Sequence, residues 1–226
     1  MRSFLRAFII FLVSSSVFAG SQPPKLDSIT DIPVKRIKAV ETNGEILFMS
    51  ENGRYVFQGQ LTDTWHKTSL DTVAEVKYSA SHIDIALMGL PINDMNTITL
   101  GSGPKQIVVF VDPLCKYCKK FIKEAKPYED EYTFKLVVVP ALGKESHKLS
   151  KNLFCSKDKS SALEAYMNNT LSLLPQSEQC DPKFYDLTLT FAQLIGVDAV
   201  PYFIAPDGRY KAGQGMDFWE WVKRNG

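Results

Sequence analysis

Gln106-Ile107-Val108-Val109-Phe110-Val111 is a continuous apolar run after its first residue, rich in β-branched residues, and it predicts a strand buried on both faces. Past Cys115 the period changes. Tyr117, Phe121 and Ala125, with Cys118 and Ile122 beside them, recur at four-residue steps and predict one face of a helix. Phe134 to Val139 predicts a second buried strand. Helical patterns follow at about Ser146 to Phe154, Ser160 to Met167 and Phe184 to Leu194. Tyr202-Phe203-Ile204 reads as a strand, Pro206-Asp207-Gly208 as a tight turn and Arg209 to Ala212 as the returning strand. A final amphipathic helix over Met216 to Val222 carries Phe218, Trp219 and Val222 on its apolar stripe. Strand, helix, strand, helical insert, strand, strand, helix is the element order of an α/β thioredoxin-like domain with a helical insertion, spanning residues 104–226.

The first part of the chain is patterned differently. Ile46-Leu47-Phe48-Met49 and Tyr55-Val56-Phe57 are short apolar-aromatic runs of strand character, and Val34 to Val40 predicts a third strand. Ser50-Glu51-Asn52-Gly53 lies between the first two runs, and Asn-Gly there predicts the hairpin turn, since both residues tolerate positive φ. This α+β region, residues 20–65, is too small to bury a sufficient core alone and is expected to pack on something else, such as a second copy. Residues 66–103 read as a linker with a helix around Ser69 to Tyr78. Gly101-Ser102-Gly103-Pro104 then punctuates the chain before the larger domain.

Composition narrows the class. The chain has 226 residues, 45% hydrophobic and 23% charged, which excludes a disordered or collagen-like chain. A formal net charge of +1 gives no sign of electrostatic capture of nucleic acid. No apolar run reaches the roughly 18 residues that span a bilayer. Arg2 and Arg6, the apolar stretch Ala7 to Val13, and small residues up to Val17-Phe18-Ala19 follow the three-part order of a secretory signal, cut near Ala19. Residues 1–19 are thus expected to be a leader, and export puts Cys115, Cys118, Cys155 and Cys180 where disulfides persist.

Cys115-Lys116-Tyr117-Cys118 is the chemical centre of the pattern. It follows a buried strand and opens a helix, so Cys115 falls where free N–H groups and the helix dipole favour a thiolate, with Lys116 as a cationic neighbour. Thiols in such sites have pKa values of about 3.5–7.5, against roughly 8.5 for free cysteine. The thiolate attacks a disulfide, and Cys118, one turn on, resolves the mixed disulfide. A zinc site would need a second close pair of ligands, whereas the remaining cysteines are 25 positions apart and only His66, His82 and His147 are available. A purely structural Cys115–Cys118 bridge is the other alternative. Cys155 and Cys180 flank the helical insert and read as a structural bridge, which would stabilise by roughly 3 kcal/mol, or as a second redox pair. Val200-Pro201 opens a strand. The plain reading is a proline that ends a loop. The sharper one, favoured by the cysteine pair, is a cis bond facing the sulfurs, with the Val200 backbone turned towards an extended substrate. Asp112 reads as a strand-end cap or an aid to thiol proton transfer. Asn168-Asn169-Thr170 matches a glycosylation acceptor. The chemistry asks for no cofactor and no metal.

Taken together, these residues resemble the periplasmic disulfide isomerases of the DsbC/DsbG family. Gly44 to Met49, through Asn52-Gly53, to Gln58-Gly59 is similar to that family's dimerisation hairpin. Phe110-Val111-Asp112 leading into Cys115-Lys116-Tyr117-Cys118 is similar to its active-site approach. Cys155-Ser156-Lys157-Asp158-Lys159 with Cys180-Asp181 resembles its structural disulfide, Val200-Pro201 falls at its cis-proline, and Gly213 with the last helix closes the domain similarly. Lys116 stands where the DsbC type has glycine and the DsbG type proline, and Val200 replaces a threonine. Lys116, Tyr117 and Val200 are therefore expected to tune redox potential and client choice. The resemblance implies a V-shaped homodimer joined through its N-terminal regions, disulfide-containing exported proteins as clients, and a membrane reductase of the DsbD type as electron donor. A periplasmic holdase with secondary redox activity is the alternative function.

Overall fold

A computed structural model of the chain describes residues 26–31 and 36–225. The expected leader and its cut at Ala19, and the first two residues of the strand expected over Val34 to Val40, lie outside the described residues.

Four antiparallel strands form the N-terminal sheet in chain order: β1 (Leu26–Asp31), β2 (Ile37–Thr42), β3 (Glu45–Ser50) and β4 (Val56–Phe57). The expected hairpin forms, with β3 and β4 antiparallel and Met49 opposite Val56. A tighter hairpin, not expected, joins β2 to β3. Thr42 faces Glu45, so Asn43-Gly44 is a two-residue loop with both φ positive, +51° and +76°. That is the primed turn whose twist matches the strands. Residues 51–55 form a longer loop in which Gly53 takes positive φ, while Asn52 Oδ1 accepts from Ser50 Oγ at 2.8 Å and from the Arg54 amide at 3.1 Å. Asn-Gly thus turns the chain twice in this sheet, at the expected hairpin and again one hairpin earlier.

A ribbon of β5 (Leu61–Asp63) and β6 (Thr68–Leu70) leads into α1 (Val73–Ser81). The helix starts later than the Ser69 expected, because Thr68–Leu70 pairs as a strand and a capping box sets the start. The Glu75 amide donates to Thr72 Oγ1 at 3.2 Å, and the Thr72 amide donates to Glu75 Oε2 at 2.9 Å. Val73 and Val76 of α1 bury against Ala39, Phe48 and Leu70. That small cluster leaves Tyr55, Val56 and Phe57, at the β4 edge of the sheet, about half exposed.

The second sheet runs β11-β10-β8-β9-β7, built from β7 (Thr97–Leu100), β8 (Lys105–Val111), β9 (Tyr132–Val138), β10 (Tyr202–Ile204) and β11 (Tyr210–Ala212). β8 and β9 are parallel and the other pairs antiparallel. The expected boundary at 104 is corrected: β7 is an edge strand of this sheet, so the domain begins within the segment read as linker. Gly101 to Pro104 is not an interdomain joint but the crossing from β7 to β8 past the start of β9. A Cβ on Gly103 would lie 2.1 Å from the Glu131 carbonyl carbon, so only glycine fits that crossing.

Six α-helices are seen among the described residues. After α1 come α2 (Lys116–Ala125), α3 (Lys144–Phe154), α4 (Ala162–Met167), α5 (Lys183–Leu194) and α6 (Phe218–Arg224). Side chains of β8 alternate between two cores. Ile107, Val109 and Val111 face the cluster of α2, α4 and α6, while Val108 and Phe110 face Phe191 of α5 and Tyr202 of β10. Phe121 of α2 is fully buried, and its ring centroid lies 4.9 Å from Phe203, 5.5 Å from Phe218 and 5.7 Å from Phe134. Phe121→Ala should therefore lower unfolding free energy by about 3–5 kcal/mol in denaturant titration. A loss under about 1 kcal/mol would mean that α2 does not depend on this ring.

Candidate active site

β8 is buried from Ile107 to Val111, and the chain turns at once through Asp112-Pro113-Leu114 into α2. The Cys115 amide donates to the Asp112 carbonyl at 3.1 Å, which closes the turn. Cys115 is then the N-cap of α2, and its Sγ accepts from the Cys118 amide at 3.1 Å. The first turn holds no acidic residue to oppose a second anion. A thiolate here gains the positive helix end, worth up to about 2 kcal/mol when partly buried, or roughly one pKa unit or more. Cys115 and Cys118 are joined as a disulfide with Cα atoms 5.3 Å apart. Cys118 is wholly buried, whereas Cys115 keeps a sliver of exposure. Lys116 and Tyr117 point outward, with Lys116 Nζ 5.9 Å from the Tyr117 ring centroid.

Val200-Pro201 meets this sulfur from the other side. The bond between them is cis, and the Val200 carbonyl oxygen lies 3.6 Å from Cys115 Sγ. Pairing of β10 with β8 brings the two chains together, since Tyr202 faces Phe110 near the end of the strand that delivers the cysteines. Next to the pair runs a groove of about 580 Å³ lined by Tyr117, Val200, Pro201, Met216 and Trp219. Gln214 Nε2 donates to Glu124 Oε2 at 2.5 Å and ties the groove's outer loop to α2. Thus Cys115, Cys118, Tyr117, Val200 and Pro201 gather at one place, with Lys116 on its rim.

Asp112 is fully buried and serves as a strand-end cap. Its Oδ1 accepts from the Leu114 amide at 2.7 Å and from Ser146 Oγ at 2.8 Å, and its Oδ2 accepts from the Leu142 amide at 2.8 Å. Its carbonyl accepts a second bond, from the Tyr166 hydroxyl at 2.6 Å. Burial pushes that phenol's pKa well up. Sequence reasoning missed Ser146 and Tyr166, because nothing local links them to Asp112.

Cys155 and Cys180 are bonded elsewhere, with Cα atoms 5.4 Å apart. Cys155 caps the C-terminus of α3. Neither lines the groove. Among the described residues no group of three or more His, Cys, Asp and Glu is arranged to hold a metal.

A family model described as disulfide bond isomerase protein N-terminal domain matches residues 18–72, and one described as thioredoxin-like domain matches residues 93–216. The second match starts ahead of β7, in agreement with the sheet. The thiol:disulfide interchange protein DsbC of Pasteurella multocida (strain Pm70) is 25% identical over 225 residues, covering 94% of both chains. DsbC of Escherichia coli (strain K12) is 27% identical over 192 residues, 84% of this chain and 77% of the relative. The thiol:disulfide interchange protein DsbG of Pseudomonas aeruginosa (strain PAO1) is 25% identical over 186 residues, 77% of this chain and 72% of the relative.

The two disulfides sit at opposite ends of helices, and this sets their order of reduction. Cys115 freed as a thiolate is stabilised at the N-terminus of α2, whereas Cys155 freed as a thiolate would face the carbonyl end of α3. Graded dithiothreitol should open Cys115–Cys118 first, read by mass after alkylation. Equal reducibility would remove the distinction between the pairs.

Proposed function

The chain belongs to the thioredoxin-like family, within its DsbC/DsbG branch, and from that premise we propose that it is a thiol–disulfide isomerase of exported proteins. The observation that carries this reading is the placing of Cys115 Sγ at a helix N-cap, 3.6 Å from the Val200 carbonyl. The reduced pair is the working form. The Cys115 thiolate attacks one sulfur of a client disulfide. A Cys115–client bond forms, the client bond breaks, and the other client sulfur leaves as a thiolate. If that thiolate attacks a further client disulfide, and a client thiolate finally displaces Cys115, the client is rearranged with no net change in electrons. If Cys118 attacks Cys115 instead, the client leaves reduced by two electrons and Cys115–Cys118 is left oxidised. A membrane reductase of the DsbD type is the proposed source of the electrons that reset it.

Binding of the client follows from the same geometry. The Val200 carbonyl offers a main-chain acceptor to an extended segment, and the groove beside it takes side chains on one flank of the client cysteine. Val200, Pro201 and Tyr117 are proposed as its contacts, Lys116 as the charge that tunes the thiolate, and Cys155–Cys180 as the structural bridge.

A homodimer completes the reading. The half-exposed edge strand β4 and the small core beneath it support pairing of N-terminal sheets from two copies, which would turn two cysteine pairs towards one client. Export through a leader cut near Ala19 is proposed with it. No helix among the described residues is long and apolar enough to cross a membrane.

Refolding of scrambled ribonuclease tests the chemistry. Cys115→Ala should fall to the uncatalysed rate, and Cys118→Ala should accumulate mixed disulfides with client, visible on a non-reducing gel. Rescue of folding by Cys115→Ala at the wild-type rate would instead identify a holdase. Phe57→Lys should convert a sedimenting dimer to monomer, keep reduction of a small disulfide, and lose most isomerisation. A wild-type monomer in sedimentation would defeat the dimer.

A further inference from the structure

The helical insert after β9 is tied by the Cys155–Cys180 bond. Two of its side chains reach the turn that carries the nucleophile. Ser146 comes from the first turn of α3 and Tyr166 from α4, and both are fully buried. Each ends on Asp112: Ser146 Oγ donates to the carboxylate at 2.8 Å, and the Tyr166 hydroxyl donates to the carbonyl at 2.6 Å. That carbonyl is the one that accepts from the Cys115 amide at 3.1 Å. The carboxylate in turn holds the Leu114 amide. Both peptide groups that lead into Cys115 are therefore fixed by an acceptor that the insert itself fixes. The Tyr166 ring also lies under Lys119 of α2, whose Nζ is 5.5 Å from its centroid and bonds Asn169 Oδ1.

We propose that Tyr166 and Ser146 are positioning residues for the attacking cysteine, acting through Asp112 to hold Cys115 at the N-cap of α2. This rests on the assignment of Cys115 as the nucleophile. The thiolate's stabilisation depends on the direction of the Cys118 amide and of the helix end, and both fall off steeply with angle. If the Asp112 carbonyl is free to rotate, the Cys115 amide loses its fixed acceptor and the sulfur leaves that geometry. The titratable groups on the elements packed around the pair are Lys116, Tyr117, Lys119, Lys120, Lys123 and Glu124 of α2, Asp112 of the turn, and Glu164 and Tyr166 of α4; of these Tyr117, Lys120 and Glu124 line the groove. Val200 and Pro201, on the β10 side, are apolar.

Tyr166→Phe deletes the donor and keeps the ring in the core. In the reduced full-length mature protein, the pH midpoint for alkylation of Cys115 by iodoacetamide should rise, and the rate below that midpoint should fall about two- to tenfold, the range one hydrogen bond supports. Ser146→Ala should move the midpoint the same way by less. Tyr132→Phe is the control: Tyr132 is as buried, yet it pairs with Lys105 at the opposite end of the strands from Asp112 and should leave the midpoint unchanged. If Tyr166→Phe does not fold, Ser146→Ala decides. Unchanged midpoints in the folded variants, or an equal rise in Tyr132→Phe, overturn the proposal. These readouts need no isomerase activity. A shifted midpoint in a protein that fails to refold scrambled ribonuclease would refute the function while leaving the positioning intact. Wild-type isomerisation with an unmoved midpoint would do the reverse.

Discussion

The reactive chemistry depends on one geometric constraint: a central strand must end where a helix begins, with a sulfur at the join. β8 supplies the rigidity, because its last five residues are buried and β9 and β10 flank it. A sulfur there meets the free amides of α2 without any charged partner having to be buried beside it. A buried cation would cost several kcal/mol in desolvation before it helped. The helix end avoids that cost, since its partial charge is fixed in the backbone and already oriented. Lys116 adds a full charge only from the exposed side, where solvent weakens it.

The same arrangement divides labour between the two cysteines. Position 115 sits at the helix mouth and faces the Val200 carbonyl, while position 118 points into the core beside Phe121 and Ile122. In the proposed mechanism a client sulfur would meet the first, and the second, wholly buried, would act from within the protein. Access is limited even at Cys115, and the proposed path for a client segment is the groove past Tyr117 and Met216, both strongly exposed. Burial of these apolar surfaces under a client would supply affinity without a deep pocket.

The parts visible in the sequence were those written in local periodicity. The run Gln106 to Val111, the four-residue stripe from Tyr117 to Ala125 and the turn at Pro206-Asp207-Gly208 each carry their own signal, and together they gave the thioredoxin order and the cysteine pair. What failed was set by partners distant in sequence. Thr97–Leu100 is only four residues, Thr-Ile-Thr-Leu, too short for its alternation to stand out until β9 pairs with it, so it passed for linker. The hairpin at Asn52-Gly53 was legible, but the tighter one at Asn43-Gly44 was passed over, because its two-residue loop follows only from the register that sets Thr42 opposite Glu45. Ser146 and Tyr166 lie 34 and 54 positions from Asp112, beyond any local rule.

Those two distant residues change how the insert's own bridge is understood. Closing the Cys155–Cys180 loop removes chain entropy from the unfolded state, roughly 3 kcal/mol, wherever the loop lies. Its placement matters for another reason. The loop contains the whole of α4, with Tyr166, and begins at the end of α3, whose first turn holds Ser146. α4 is short and has no side-chain N-cap, so it has little stability of its own. Its order comes from burial of Ala162, Ala165 and Tyr166 in the core and from the bridge that shortens the chain around it. A segment that must deliver one hydroxyl to one carbonyl gains from such a constraint, because each freely rotating residue would multiply the positions in which the bond is not made. Cys155–Cys180, as the structural bridge proposed, would then keep steady the turn from which the other disulfide works.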